Sequence, residues 1–468
     1  MSDYKLKLKI LRKKCPKFIY QNYLYKLSKN DLEIFFNFKI EPSIYFRPKV
    51  VIKNINKSQI RKIGEKELNN LVFHLGLMEI PSYWKATCSP IIEIKTGPLN
   101  SKQIKWWQDL IIGGMGQFFY ENKIPFQKPK IISHINKYTG VNLLISPRNR
   151  YLVPIGGGKD SVVTLELLKN AKKNIRCFSL NPTDAAKKIM RVANCKEPII
   201  VERKIDEKLL ELNRKGFLNG HTPFSAYLAF LSVLLAVIFN YKYIAFSNER
   251  SSNEGNVKYR GKTINHQWSK SFEFEEKFRS YSKKYLAKDI EYFSFLRPLY
   301  EIQIAKLFSK YPKYFPVFLS CNEAYKTASG AKKPSKKWCG KCPKCLFVWT
   351  CLYPFVEEKK LIKIFGKNLF KDKKLLPIMK ELIGERRFKP FECVGTKKET
   401  VSAFYLSWKK YREQFSVKMP FLLKYFERKI LPKYPNLEKE SKKILTSWNN
   451  QHNSPFEKIL KKQLSKKG

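Results

Sequence analysis

Apolar and polar residues alternate with two different periods between residues 151 and 246. Short apolar runs predict buried strands, and apolar residues spaced three or four apart predict helices packed beside them. The predicted strands are 151–155, 176–180, 198–201 and 243–246. The predicted helices are 162–168, 184–194 and the continuously apolar 226–239. Strands that alternate with helices are typical of α/β proteins with a parallel sheet and crossover helices.

The patterns divide the 468-residue chain into three regions. Residues 1–145 carry no motif and are predicted to form an N-terminal accessory or substrate-recognition domain. Residues 146–355 hold the α/β pattern, and the Lys-rich residues 356–468 are predicted to form a basic helical C-terminal region. No apolar run reaches the roughly 20 residues of a membrane-spanning helix, and the N-terminus lacks a signal-peptide pattern. We therefore predict a soluble cytoplasmic protein.

Charge is the most unusual feature of the composition. Hydrophobic residues (43%) and aromatic residues (14%) are abundant enough to exclude a largely disordered chain. Lys and Arg number 92 against 39 Asp and Glu, which gives a formal net charge of +53. Such an excess attracts nucleic acids, and equally nucleotides and phosphorylated metabolites. Because A/T-rich codons also enrich a chain in Lys, the charge leaves nucleic acid as an alternative partner without favouring it.

A glycine-rich turn separates the first predicted strand from the first predicted helix. Its residues are Gly156, Gly157, Gly158, Lys159, Asp160 and Ser161. Consecutive glycines allow a tight turn whose N–H groups converge, and the helix that follows adds its positive end, so an anion is the expected ligand. The Walker phosphate loop is excluded because Val153 and Asp160 stand where it needs Gly and Ser or Thr. The dinucleotide fingerprint is excluded because Ser161 replaces its third Gly.

Four of the ten cysteines are grouped, and the other six are scattered. The grouped residues are Cys321, Cys339, Cys342 and Cys345. Two successive two-residue gaps let three thiolates converge, and four thiolates suit tetrahedral Zn²⁺. We predict a structural zinc knuckle, with an iron–sulfur or redox role and free thiols as alternatives. In a chain predicted to be cytoplasmic, the scattered cysteines are expected to be unpaired rather than disulfide-bonded.

Two polar segments, 247–256 and 265–271, follow the last predicted strand. Ligands of open α/β sheets bind at the carboxyl ends of the strands, so these segments are predicted to contact the substrate. The substrate-binding candidates are Arg250, Asn253, Asn256, Asn265 and Gln267. The guanidinium of Arg250 matches the oxygens of a carboxylate or a diphosphate.

Residues 156–161 resemble the Ser-Gly-Gly-x-Asp-Ser signature of the PP-loop ATP pyrophosphatases, with Gly156 in place of the first Ser. The resemblance implies a doubly wound parallel sheet that holds ATP by its β- and γ-phosphates. An acceptor oxygen then attacks the α-phosphorus, forming an adenylate and releasing pyrophosphate.

The resemblance also implies which residues bind ATP. The implied ATP-binding residues are Gly156, Gly157, Gly158, Lys159, Asp160, Ser161, Asn181 and His221. Within this set, Lys159 would offset developing negative charge, Asp160 would position Mg²⁺ and Ser161 would donate to a phosphate oxygen. Asn181 would meet the nucleoside, and the turn that contains His221 would close over ATP.

The glycine turn, both polar segments, the cysteine knuckle and residues 391–396 together are similar to the MurL family of ATP-dependent epimerases. The resemblance covers about residues 150–410. It implies inversion of the terminal L-glutamate of UDP-N-acetylmuramoyl-L-alanyl-L-glutamate during peptidoglycan precursor synthesis. Adenylation of the glutamate carboxyl would remove its charge, let the α-proton leave through an enolate, and release AMP and diphosphate.

Inversion needs a base and an acid on opposite faces of the substrate carbon. The candidates are His266, Lys270, Cys393 and Glu249. Other enzymes with related loops stay as alternatives. These are PP-loop enzymes that modify tRNA and the 7-cyano-7-deazaguanine synthases, which have a similar knuckle. A non-enzymatic alternative is a basic nucleic-acid-binding module with a vestigial loop.

Overall fold

The computed structural model of the chain describes residues 3–134, 147–325, 337–386, 388–414, 418–449 and 456–465. The strands in this part of the chain are β1 (Lys17–Ser28), β2 (Asp31–Ile40), β3 (Ile44–Phe46), β4 (Lys49–Ile52), β5 (Ile91–Ile94), β6 (Lys130–Ser133), β7 (Arg148–Pro154), β8 (Ile175–Leu180), β9 (Ile199–Lys204), β10 (Tyr241–Phe246), β11 (Val257–Tyr259), β12 (Lys262–Ile264) and β13 (Glu291–Ser294). The α-helices are α1 (Asp3–Lys14), α2 (Lys57–Arg61), α3 (Glu65–Trp84), α4 (Ser101–Gly114), α5 (Gly116–Glu121), α6 (Lys159–Asn170), α7 (Asp184–Val192), α8 (Glu207–Arg214), α9 (Phe224–Phe239), α10 (Phe272–Tyr285), α11 (Glu301–Phe308), α12 (Asn322–Tyr325), α13 (Pro343–Leu352), α14 (Glu358–Phe365), α15 (Leu376–Leu382), α16 (Lys397–Gln414), α17 (Phe421–Tyr425), α18 (Leu437–Thr446) and α19 (Glu457–Ser465).

A parallel half of the main sheet contains β9, β8, β7, β10 and β13, side by side in that order. Numbered along the chain, this is the 3-2-1-4-5 order of doubly wound sheets. The direction of winding reverses between β7 and β10, and ligands of such sheets bind beyond the carboxyl ends at that switch point. The prediction of an α/β protein with a parallel sheet is confirmed.

The N-terminal region extends the same sheet. β4 pairs with β9 in antiparallel fashion, and the sheet continues through β2, β1, β5 and β6. The described strands of residues 1–145 therefore share one sheet with the strands that follow the glycine-rich turn.

The two faces of the sheet carry two separate hydrophobic cores. Successive residues of a strand point to opposite faces, and Leu152 and Phe178 join one core while Val153 and Cys177 join the other. Helices α9 and α10 belong to the first core, and α6, α7 and the helices from α11 onward belong to the second. Strands buried on both faces are continuously apolar, which is why residues 151–155 were recognisable as a strand.

One prediction about the cysteines is wrong. Cys177 of β8 and Cys195, just after α7, form a disulfide, whereas the scattered cysteines were expected to be unpaired. The crossover helix α7 returns the chain beside the strand that it left. Residues 18 positions apart thus come to a Cα–Cα distance of 6.3 Å, which disulfide geometry allows and which spacing alone does not reveal. In the part of the chain that the structure describes, no helix is both long and apolar enough to cross a membrane.

His74 on α3 is buried in the first core. Its Nδ1 lies 2.8 Å from the Asn70 carbonyl oxygen and its Nε2 lies 3.0 Å from the Tyr281 hydroxyl. Burial lowers the pKa of His74 to about 4, although the hydrogen bond with Asn70 acts in the opposite direction.

This buried imidazole predicts acid destabilisation. The unfolded chain protonates His74 near pH 6.5, whereas the folded chain keeps it neutral down to about 4. As the pH falls from 6.5 to 4, the contribution of His74 to the free energy of unfolding should therefore decrease by about 1 kcal/mol per pH unit. A His74→Gln variant should lose stability less steeply over this range in urea denaturation. Equal slopes for the two proteins would contradict the assignment.

Candidate functional site

The glycine-rich turn lies at the switch point of the sheet, between the end of β7 and the start of α6. Gly157 has φ of +99°, a left-handed conformation that favours glycine. A Cβ there would also lie 3.1 Å from the Cβ of Ala185 and 3.2 Å from the backbone nitrogen of Ala186, so α7 packs directly on the turn. A Cβ at Gly156 would meet no described atom within 4 Å, which leaves that side of the turn open for a ligand.

Lys159 begins α6 and is almost completely buried. It forms ion pairs with the neighbouring Asp160 and with Glu301, the first residue of α11. Burial disfavours the charge on Lys159, but these carboxylates outweigh it and raise its pKa. Burial also disfavours the charge on Glu301 and acts to raise its pKa. The charges of Lys159 and Lys344 outweigh burial, and the pKa of Glu301 is lowered. Glu301 was not found from the sequence because no local motif marks it.

Two other ATP-binding candidates form contacts with backbone atoms. The Ser161 hydroxyl donates to the Gly158 carbonyl at 2.9 Å. The Asn181 amide donates to the Arg203 carbonyl at 2.9 Å and accepts from the Arg203 nitrogen at 2.8 Å. The Ser161 hydroxyl is therefore bonded back onto the turn, while the Asn181 side chain is held against β9.

The four grouped cysteines converge as predicted. Their sulfur atoms all lie within 4.8 Å of one another, and individual separations are 3.8 Å for Cys321–Cys342, 3.6 Å for Cys339–Cys345 and 3.5 Å for Cys342–Cys345. Four thiolates about 2.3 Å from a tetrahedral zinc ion would be separated by about 3.8 Å. The site could therefore hold a metal such as zinc.

We expect the purified protein to contain about one zinc ion per chain by inductively coupled plasma mass spectrometry. Cys342→Ser should remove most of the metal because three thiolates hold zinc less tightly than four. Cys351→Ser is the matched control, since Cys351 is buried on α13, the helix that begins directly after Cys342, and lies outside the cluster. Metal-free wild-type protein with reduced thiols would contradict a zinc knuckle.

Lys344 connects the cysteine cluster to the glycine-rich turn. It lies between Cys342 and Cys345 in sequence, and its side chain is buried. Its Nζ lies 3.6 Å from Glu301 and donates to the Cys393 carbonyl. Lys344 was not singled out from the sequence, because both of its partners lie far from it in the chain.

Cys393, Lys270 and His266 form one cluster. The Lys270 ammonium donates to the Cys393 sulfur at 3.2 Å, and the Nε2 atom of His266 lies 3.9 Å from the same sulfur. Burial and then the charge of Lys270 lower the pKa of His266 to about 4. The His221 ring lies beside that of His266, tilted by 50° with 4.7 Å between centroids, so the structure places His221 next to this cluster.

Glu249 is buried and senses the charges of both the ion pairs beside the turn and the cluster that contains Lys270. Burial and the nearby Glu301 raise the pKa of Glu249 to about 7, while Lys270 acts to lower it. A carboxyl group with such a pKa can both accept and donate a proton near neutrality.

Arg297 holds the backbone of these segments in place. Its fully buried guanidinium donates to the Glu249 carbonyl at 2.8 Å, to the Lys270 carbonyl at 2.5 Å and to the Glu275 carboxylate at 3.0 Å. Arg297 has no sequence signal, because its partners come from three separate segments.

Several predicted substrate-binding side chains are used within the protein. Asn256 donates to the Pro390 carbonyl at 2.7 Å and accepts from the His266 nitrogen at 2.7 Å. Asn265 donates to the Ser252 carbonyl, and Asn253 accepts from the Phe272 nitrogen. These asparagines therefore bind backbone groups that position the cluster.

The other two substrate-binding candidates are less constrained. The Arg250 guanidinium lies over the Tyr300 ring, 4.4 Å from its centroid. The Gln267 side-chain oxygen is buried and has no hydrogen-bond partner among the described residues. Both positions remain predictions for substrate contact.

These features define an α/β protein with a glycine-rich turn at the switch point of its sheet, a buried ionic cluster beside the turn and a four-cysteine site. Comparison with known proteins identifies the family. Residues 9–295 match the MurL N-terminal domain and residues 317–426 match the MurL C-terminal domain. The chain belongs to the MurL family.

Three relatives carry the name UDP-N-acetyl-alpha-D-muramoyl-L-alanyl-L-glutamate epimerase. The Micromonospora sp. protein is 34% identical over 69% of this chain and 72% of its own length. The Xanthomonas oryzae pv. oryzae protein is 33% identical over 70% and 72%, and the Salinispora tropica protein is 34% identical over 69% and 70%.

Proposed function

We propose that the chain inverts the terminal L-glutamate of UDP-N-acetylmuramoyl-L-alanyl-L-glutamate in a reaction that consumes ATP as a second substrate. One observation carries the proposal beyond the names of the relatives. A continuous series of buried contacts, through Lys159, Glu301, Lys344 and Cys393, joins the glycine-rich turn to the cluster of candidate proton carriers. Activation of a carboxyl group and proton transfer at the adjacent carbon need such proximity.

The glycine-rich turn would bind the phosphates of ATP. The strand order and the position of the turn at the switch point support a PP-loop fold. The open side of Gly156 provides room for a phosphate, and Lys159 would shift its ion pairing from carboxylates to phosphate as charge develops. Asp160 would hold Mg²⁺, which supplies charge neutralisation on the phosphates.

A cavity of about 950 Å³ beside the turn is our candidate for the nucleoside. Thr183 and Ala185 line this cavity, and both lie within 3.2 Å of the position that a Cβ on Gly157 would occupy. Phe315, Phe318 and Trp338 provide an apolar wall suited to a base. This placement puts the nucleoside on the α7 side of the turn. Pro182 lines the cavity, whereas the preceding residue, Asn181, does not.

Adenylation of the glutamate carboxyl would make the α-proton removable. A free carboxylate resists formation of an adjacent carbanion, because two negative charges would result. Once adenylated, the carbonyl accepts the electron pair as an enolate. The ammonium of Lys270, which belongs to the cluster, would stabilise this enolate. We assign the two proton transfers to Cys393 and Glu249, and later hydrolysis would release AMP and the D-product.

The decisive experiment incubates the protein with ATP, Mg²⁺ and the UDP-muramoyl dipeptide. We expect AMP and diphosphate to form only when all components are present, and glutamate from the hydrolysed product to contain the D enantiomer. The same assay with UDP-N-acetylmuramoyl-L-alanine, which lacks the glutamate, is the control. AMP formation without inversion, or AMP formation stimulated by tRNA instead, would reject the proposal.

A further inference from the structure

Residues of the N-terminal region reach the proton-transfer cluster. Gln117 and Glu121 lie one turn apart on α5, and the Gln117 amide nitrogen donates to the Glu121 carboxylate at 2.8 Å. The Gln117 oxygen contacts Nδ1 of His266. Gln117 is buried, whereas Glu121 is exposed.

These contacts determine which nitrogen of His266 carries the hydrogen. A carboxylate only accepts hydrogen bonds, so Glu121 must face the nitrogen of the Gln117 amide. The amide oxygen then faces His266, and because this oxygen also only accepts, Nδ1 of His266 must be the donor. A neutral imidazole has one N–H, so Nε2 is left with a free lone pair. That nitrogen is the one that lies 3.9 Å from the Cys393 sulfur.

We propose that Glu121 and Gln117 are positioning residues that hold His266 in the tautomer whose bare Nε2 faces Cys393, so that His266 takes the thiol proton. This assignment rests on the proposed function for its role in catalysis. The S–H proton moves to Nε2, giving an imidazolium whose Nδ1–H still donates to Gln117. The thiolate formed 3.9 Å from Nε2 offsets the Lys270 charge that, together with burial, lowers the pKa of His266 before the transfer. The thiolate that remains is stabilised by the Lys270 ammonium and accepts the α-proton of the activated glutamyl residue.

The arrangement gives the N-terminal region a direct part in the reaction. A hydrogen-bond series that runs from a carboxylate through an amide to an imidazole and a thiol follows the same logic as catalytic triads, in which the third group sets the tautomer. Gln117 acts only through His266, so its replacement should affect proton transfer and leave ATP consumption largely intact.

The test compares three variants of the full chain. Gln117→Leu removes the acceptor, and the exchanged pair Gln117→Glu with Glu121→Gln restores it, because the carboxylate introduced at position 117 accepts from both neighbours. Gln108→Leu is the control, since Gln108 on α4 donates only to the Pro129 carbonyl among the described contacts. The tautomer is measured by ¹⁵N NMR of histidine-labelled protein, with the five histidines distinguished by a His266→Asn variant.

We expect Gln117→Leu to move the His266 signals towards the Nε2–H form and to slow inversion roughly 100-fold, with AMP release within about twofold of wild type. The exchanged pair should restore both the spectrum and inversion, and Gln108→Leu should change neither. Unchanged His266 signals in Gln117→Leu, or a folded exchanged pair that fails to restore them, would overturn the inference. Wild-type protein that neither releases AMP nor inverts glutamate would instead reject the proposed function, and the spectra would still decide the tautomer.

Discussion

Replacement of Lys159 by Met should lower AMP release by about 10²–10³-fold. Lys159 is the cation at the start of α6, beside the glycine-rich turn, and would meet the phosphates where negative charge develops. Met has a similar shape and no charge. The loss should appear in the rate of AMP formation at saturating ATP, because the interaction strengthens as diphosphate leaves.

The same substitution should also destabilise the protein, and the two effects can be separated. Removing one partner of a buried ion pair leaves the other charge uncompensated and costs about 3–5 kcal/mol. Combining Lys159→Met with Glu301→Gln removes both charges of this pair but also takes a carboxylate from Lys344, so we expect this double variant to recover part of the stability and none of the activity. Urea denaturation and the AMP assay measure the two properties.

An exposed lysine after the same helix provides the control. Lys173→Met removes one positive charge without touching the cluster and should leave both properties near wild type. AMP release by the folded double variant at the wild-type rate would show that the glycine-rich turn does not use Lys159.

Replacement of Cys393 by Ser should separate the two halves of the proposed reaction. We expect inversion to fall by about 10³-fold, because a serine hydroxyl is far less acidic than a thiol and loses the sulfur contact with the Lys270 ammonium. AMP release should continue, since, among the described contacts, Cys393 reaches the turn through its carbonyl and Lys344.

Exchange of the α-proton in D₂O sharpens this prediction. If Cys393 serves one face and Glu249 the other, Cys393→Ser should still exchange the α-proton of one enantiomer, and Glu249→Gln should exchange that of the other. Cys15→Ser is the control, because Cys15 is buried near α1 and has no described contact with the cluster. Inversion by Cys393→Ser at the wild-type rate would exclude the thiol as a proton carrier.

Much of the central fold was predictable because its signals are local. The predicted strands 151–155 and 176–180 correspond to β7 and β8, and the apolar stretch 226–239 corresponds to α9. Burial on both faces of a sheet imposes an apolar run on each strand, so the pattern is visible without knowledge of the partners. The N-terminal strands were not predicted, although β2 buries an apolar residue at every second position and β4 contains the buried run 50–52. No motif marked that region, and its strands do not alternate with helices as those of the central region do.

The candidate site was predictable only in part. The asparagines of 247–256 and 265–271 suggested ligand contacts because they are polar and follow a strand. The structure uses Asn253, Asn256 and Asn265 to bind backbone groups. The same residue types organise loops and contact substrates, so the sequence does not distinguish the two roles. Only the structure shows which groups these side chains bind.

The sequence alone determined the glycine-rich turn, the convergence of four cysteines and the alternation of strands and helices, because each depends on residues close together in the chain. The tertiary structure decided how these pieces combine. Winding of the sheet brings Gln117, Glu301 and Cys393 from distant segments to one buried cluster, and it pairs Cys177 with Cys195. Burial then sets the charges of that cluster, since the pKa of a carboxyl or an imidazole depends on neighbours that only folding assembles.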